Sequence, residues 1–344
     1  MNRNCCDFIS KRDAVMLQGF AVSLMVWHHL FGFPDRISVP YFLPLDRIGH
    51  LETLLSYFGR ICIAMFAFLS GYGIQKKVLS NLNQQKCGLR YTYRTVANHL
   101  LKFYSRYWVV FFVFFPIGII LTVYPFNFVH FFKGVLGLTT AYNAEWWYIV
   151  SYLRVMLLFP ILNLLMDFEE KGGTVIFHIV TLFAILGVVL LCEFSSMDAT
   201  YVVLLYFLEG MYFVRASLFS KIDKFISVPK MPVGFVLIAL VFLLRTKGIS
   251  DYLLVPFMIM GSVMLFNSKI MVWANRVLSV VGRYSTYVWL THTFFGYYYF
   301  QAFTYFPRYS WLIFTWCMIL CLIFGILAEI FLKLIKRRDA ESRS

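Results

Sequence analysis

The chain has 344 residues, of which 60% are hydrophobic and 14% charged, and its mean hydropathy is +0.73. That composition excludes an ordinary soluble domain and makes lipid the main solvent. The formal net charge of +14 sits in a hydrophobic chain, where a basic surplus marks cytoplasmic loops facing anionic lipid rather than a nucleic-acid partner.

Apolar stretches long enough to cross a ~30 Å hydrocarbon core recur from about residue 14 to residue 332. Backbone in lipid must satisfy its own hydrogen bonds, and these stretches exceed the ~10 residues of a barrel strand, so they are expected to be helices. The expected fold is all-α: one integral membrane domain over 1–344 with about ten transmembrane helices, and cytoplasmic tails at 1–13 and 334–344. In chain order the helices are predicted at 14–33, 53–75, 99–123, 146–166, 174–192, 201–215, 232–245, 251–267, 279–300 and 310–333. The first is expected to be retained rather than cleaved, because it carries two histidines and no small-residue cleavage site follows it. The seven cysteines have no metal-ligand spacing and several fall in apolar spans, so neither zinc nor a disulfide is expected.

With the N-terminus inside, Lys and Arg divide 21 to the inner segments and 6 to the outer ones. That bias predicts an inner (cytoplasmic) membrane protein with both termini cytoplasmic. Arg60, Lys102, Arg106 and Arg154 fall within or at the edges of spans, where each unpaired charge costs about 2.5–3.5 kcal/mol at helix centre. Lys102 and Arg106 are one turn apart, so they either present two charges to one anion or snorkel to lipid phosphate.

The first helix ends in Trp27-His28-His29. Neighbouring helical positions point about 100° apart, so at most one of the two histidines faces a given site. Such an imidazole either bridges helices or exchanges a proton with a hydroxyl. Under the same topology Asp35, Glu145 and His292 collect at the same level of the membrane, and either carboxylate could orient the ring. At the opposite level Ser70-Gly71-Tyr72 adjoins a basic stretch, 76–98, read as an anion-binding loop. Tyr142, Trp146, Trp147 and Tyr297 to Tyr299 either stack on sugar faces or form an interfacial belt.

Four segments occur in the order found in the acyltransferase-3 family. They are Lys11-Arg12-Asp13 through His29, Phe66-Ala67-Phe68-Leu69-Ser70-Gly71-Tyr72, Trp147-Tyr148 through Pro160, and Gly282-Arg283-Tyr284-Ser285-Thr286-Tyr287 through His292. The chain resembles that family over nearly its whole length. The resemblance implies a ten-helix enzyme that O-acylates an extracytoplasmic glycan or lipid-linked sugar, with acetyl-coenzyme A as co-substrate and no permanently bound cofactor. It implies His29 as the catalytic histidine, assisted by Glu145 or Asp35. It implies donor contacts at Arg90, Arg94, His99, Lys102, Arg106 and Ser70, and acceptor contacts at His292, Trp147, Tyr148, Ser285 and Gln18. The chain departs from the family in two places. Gln18 stands where the family has an arginine eleven residues before the histidine, and His99 with Lys102 stands where it has two arginines three apart, which removes the bidentate guanidinium fork. The rival expectations are a transporter or flippase for a lipid-linked sugar or small anion, and an inactive member acting as a scaffold.

Overall fold

Ser10 and Asp13 cap each other, the Ser10 N–H donating to Asp13 Oδ2 (2.9 Å) and the Asp13 N–H to Ser10 Oγ (3.1 Å), and this box starts helix α1 at Lys11–Phe31. It begins three residues ahead of the sequence expectation for that reason. In this computed structural model, which describes residues 8–82, 89–171 and 200–341, the helices that follow are α2 (Leu51–Phe58), α3 (Cys62–Leu82), α4 (Leu89–Ile120), α5 (Phe128–Val135), α6 (Trp147–Lys171) and α7 (Thr200–Arg215). They continue as α8 (Leu218–Asp223), α9 (Lys230–Thr246), α10 (Asp251–Phe266), α11 (Val272–Arg283), α12 (Ser285–Thr293), α13 (Gln301–Tyr305) and α14 (Ser310–Glu341). Among the described residues there is no strand, only an isolated bridge between Phe42 and Tyr309. The expected helix at 174–192 lies outside the described residues.

Five helical stretches are long and apolar enough to cross a membrane: Lys11–Phe31, Leu51–Ser80, Leu89–Ile120, Ala144–Asp167 and Ser310–Arg338. A sixth arises if Asp251–Phe266 and Lys269–Arg283, which meet at 84°, count as one span. Two local expectations change. The stretch 76–98 is helical up to Leu82 and again from Leu89, because Thr92, Thr95 and Val96 bury one face at helical spacing and carry α4 ten residues further back. The expected single helix at 279–300 is α11, then α12 after a break at Tyr284, then a π-helical turn at Phe294–Tyr298.

The chain divides into two compact units, each made of separated stretches. The first comprises Met1–Gln18, Ile63–Leu100 and Tyr148–Arg276. Its α3 and α7 cross backbone to backbone: a Cβ on Gly71 would lie 2.0 Å from the Phe207 carbonyl oxygen, and one on Gly210 would lie 2.1 Å from that of Phe68. Small residues allow that approach between membrane helices. Near the same crossing Arg215, its side chain 1% exposed, donates to Asp167 Oδ1 (2.7 Å) and Asn163 Oδ1 (2.8 Å). A buried guanidinium is tolerated because both acceptors are there.

The second unit comprises Gly19–Cys62, Leu101–Trp147 and Val277–Ser344. Here α1 backs onto α11 at Gly19, whose Cβ would meet the Leu278 carbonyl oxygen at 1.9 Å. The buried carboxylate of Glu52 accepts from the Leu45 N–H (2.7 Å) and from the Ser310 hydroxyl, which anchors α2 to the start of α14.

The α3–α7 crossing yields a test. Gly71→Ala and Gly210→Ala are each expected to cost about 1–3 kcal/mol through overpacking. Gly73→Ala, whose Cβ would meet nothing within 4 Å, is expected to be neutral or slightly stabilising. Thermal midpoints of the detergent-purified proteins check this, and a Gly71→Ala protein melting with the Gly73→Ala protein would refute the close crossing.

Candidate active site

The two histidines at the end of α1 have separate tasks. His28, buried, places Nδ1 2.7 Å from the Ser56 carbonyl oxygen and so donates to α2. One residue on, His29 turns to a polar cluster. Its Nδ1 lies 2.6 Å from His292 Nε2, with the two rings stacked at 4.9 Å between centroids. Its Nε2 lies 3.5 Å from Glu145 Oε2, both side chains being 12% exposed.

The partners of His292 settle the tautomers. His292 Nδ1 faces only carbonyl oxygens, those of Trp289 (2.8 Å) and Val288 (3.1 Å), so it carries the proton. In the neutral ring Nε2 is then an acceptor, and the proton in the 2.6 Å contact belongs to His29 Nδ1. Neutral His29 therefore has its lone pair on Nε2, the nitrogen that faces Glu145. A proton arriving at Nε2 would meet a carboxylate that stabilises the resulting imidazolium.

Glu145 is itself held from both ends. Its Oε1 accepts from Arg36 Nη1 at 2.7 Å, and the Arg36 guanidinium packs over the rings of Phe33 (4.2 Å) and Tyr297 (5.7 Å). Partial burial is the largest single influence and would lower the Arg36 pKa, but the hydrogen bonds and charges of Glu145 and Tyr297 together outweigh it and raise the group above its already high ordinary value. On the backbone side, Asn143 accepts from the Glu145 N–H (3.0 Å) through Oδ1 and donates through Nδ2 to Thr293 Oγ1 (2.7 Å). The Ala144 N–H donates to Tyr298 Oη (3.1 Å) and Trp146 Nε1 to the Leu290 carbonyl oxygen (3.3 Å). The turn bearing Glu145 is thus bolted to the segment bearing His292.

The remaining expected residues divide as follows. Asp35 is exposed on the short turn after α1, and it is Glu145 that approaches His29. Lys102 is exposed on α4, while Arg106 one turn later donates to Glu329 Oε1 through Nε and Nη2, both at 2.8 Å, and lies 5.8 Å from the centre of the Tyr287 ring. Trp147 opens α6 and is half-buried, and Ser285 is buried at the start of α12. In the first unit, Arg90 and Arg94 are exposed on α4, and His99 Nε2 lies 2.6 Å from Tyr152 Oη. Also there, Ser70 bonds the Phe66 carbonyl of its own helix (2.7 Å), Tyr148 is buried and Gln18 is half-buried. Among the described residues no group of three or more metal-ligating side chains occurs.

Arg36, Asn143 and Glu329 were not singled out from the sequence. For Glu329 a signal exists: it is the only acid in 310–333, and a lone carboxylate in an apolar span needs a cation. For Asn143 the signal is weaker, an Asn before a turn that opens a helix.

A family model described as an acyltransferase domain matches residues 16–330, a range that holds His29, Arg36, Glu145, His292 and Glu329. Comparison with curated proteins and with solved structures gave no match.

The Asn143 bracket is testable apart from activity. Asn143→Ala and Thr293→Val are each expected to cost about 1–3 kcal/mol, because each strands a buried polar group. The double variant should cost clearly less than the sum, as measured by unfolding midpoints in detergent. Additivity within about 0.5 kcal/mol would mean the two side chains are uncoupled.

Proposed function

The chain belongs to the acyltransferase-3 family and is a membrane acyltransferase, and from that premise we propose that it moves an acetyl group from cytoplasmic acetyl-coenzyme A to a hydroxyl of an extracytoplasmic glycan or lipid-linked sugar. His29 is the general base. The observation that carries this reading is the bare Nε2 of His29, set by the 2.6 Å contact with His292 and faced by Glu145.

The reaction runs in two proton moves. The acceptor hydroxyl gives its proton to His29 Nε2 as its oxygen bonds to the thioester carbonyl carbon. The C–S bond then breaks, and the leaving thiolate recovers the proton from Nε2, so the imidazole ends neutral. Glu145 stabilises the imidazolium between these steps, and Arg36 holds the Glu145 side chain in place. His292 is a positioning residue that holds the productive tautomer of His29, and its own acceptor contact is a further part of the proposal. Asp35, being exposed, is the weaker candidate for the orienting carboxylate.

The donor's phosphates are assigned to Lys102 and Arg106. Because Arg106 is already engaged by Glu329, a phosphate must compete with that carboxylate. Trp147, Tyr148, Ser285 and Gln18 are the proposed acceptor contacts. The enzyme is placed in the inner membrane, crossing it about ten times with both termini cytoplasmic, in line with the distribution of its basic residues.

The test is transfer of labelled acetyl from acetyl-coenzyme A to glycan in membranes carrying each variant. His29→Ala is expected to lower the rate by on the order of 10²–10⁴-fold at normal protein level. Glu145→Gln should lose part of that, and unchanged acylation by His29→Ala would remove His29 from the mechanism.

A further inference from the structure

The first unit holds a second polar site that takes no part in this chemistry. A cleft of about 570 Å³ opens between Phe8 ahead of α1, the end of α8 at Asp223, the start of α9 at Lys230 and Met231, and the corner that follows α10 at Ser268 and Lys269. That is ample for a small ligand, since such sites span roughly 300–1,000 Å³. All four segments were assigned to one side of the membrane by the positive-inside count.

The polar lining has an unusual balance. Lys230 Nζ donates to Asp223 Oδ2 at 2.7 Å, which commits that lysine and one carboxylate oxygen. The other oxygen, Oδ1, is buried with no hydrogen-bond partner, and so is Ser268 Oγ. Lys269 lines the same cleft, is exposed, and among the described residues forms no ion pair. A buried carboxylate oxygen calls for a donor, best a cationic one. An uncommitted ammonium beside an uncommitted hydroxyl calls for an anion. One ligand meets both demands only if it carries a hydrogen-bond-donating cation and an anion a few ångströms apart. The remaining wall, including Phe8, Met231, Val263 and Met264, calls for hydrocarbon.

We propose that this cleft binds the headgroup of phosphatidylethanolamine, its ammonium on Asp223 Oδ1 and its phosphate on Ser268 Oγ and Lys269 Nζ, with the upper acyl chain along the apolar wall. Other phosphate-bearing molecules of the membrane surface match only half of the site. Phosphatidylglycerol and coenzyme A bring the anion without the cation, and Asp223 repels them. Phosphatidylcholine brings a cation that has no N–H to donate. The site is therefore a lipid contact selective for a primary ammonium, independent of the acyl-transfer reading.

The experiment titrates the purified full-length protein in detergent with short-chain phosphatidylethanolamine, phosphatidylglycerol, phosphatidylcholine or coenzyme A and follows the thermal midpoint, which rises with a ligand that binds the folded state. Wild-type protein is expected to respond to phosphatidylethanolamine at roughly tenfold lower concentration than to the other three, the scale of one charge-assisted hydrogen bond. Asp223→Asn should remove that preference without weakening the response to phosphatidylglycerol. Lys269→Gln, at an exposed position that leaves folding intact, should weaken both lipids and serves if Asp223→Asn fails to fold. Equal responses to phosphatidylethanolamine and phosphatidylglycerol, a stronger response to coenzyme A, or a Lys269→Gln protein that binds as wild type would each overturn the proposal.

Discussion

The hydrogen bond between His29 Nδ1 and His292 Nε2 is the contact on which the candidate chemistry depends, because it decides which imidazole nitrogen is bare. Without it a neutral His29 could carry its proton on either nitrogen, and the Nε2–H form would present an N–H where a base is needed. The contact works only because His292 has no choice of its own. Its Nδ1 is committed to two carbonyls of α12, so the tautomer preference passes from main chain to His292 to His29. A second histidine acts here by holding a proton in place rather than by moving one.

The same rule, that polar groups in a low-dielectric interior need partners, explains how several cations of the helices are held. Arg215 is buried on Asp167 and Asn163, Arg106 is paired with Glu329, and Arg154 donates to Thr200 Oγ1 (3.0 Å). Two of the four intramembrane cations noted in the sequence thus have protein partners, which relieves a cost of about 2.5–3.5 kcal/mol for each charge at helix centre.

Much of the helix pattern was legible because apolar length is a direct consequence of the solvent. The histidines and Glu145 were legible because an ionisable group near a span end is rare enough to notice. Arg36 was not. The basic-residue count sorts it as an outer-loop charge, and its bond to Glu145 joins positions 109 apart in the chain, a separation that no local pattern encodes. The residues alone left His28 and His29 open and only the family resemblance pointed to His29, whereas the structure shows His28 bonded to the Ser56 carbonyl. The break at Tyr284 was hidden for another reason. Gly282-Arg283-Tyr284-Ser285 contains no proline, so the apolar run reads as one helix although α11 and α12 are separate.

That broken geometry has a consequence for the site. A π-helical turn takes in one residue more than an α-helical one, so everything beyond Phe294 is rotated by roughly 100° from where a continuing α-helix would put it. The rotated segment places Tyr298 Oη on the Ala144 N–H, next to the residue that carries the carboxylate. A π turn also disturbs the backbone pairing, which lipid would penalise. Here the Phe294 carbonyl takes the N–H groups of both Tyr299 (2.9 Å) and Phe300 (3.2 Å), and the Phe295 carbonyl takes the Thr304 hydroxyl (2.8 Å). Both of these carbonyls are therefore bonded within the protein, and the benefit of the irregular turn is positional: it turns a tyrosine towards the Glu145 turn while His292, one turn earlier, stays in regular α12 facing His29.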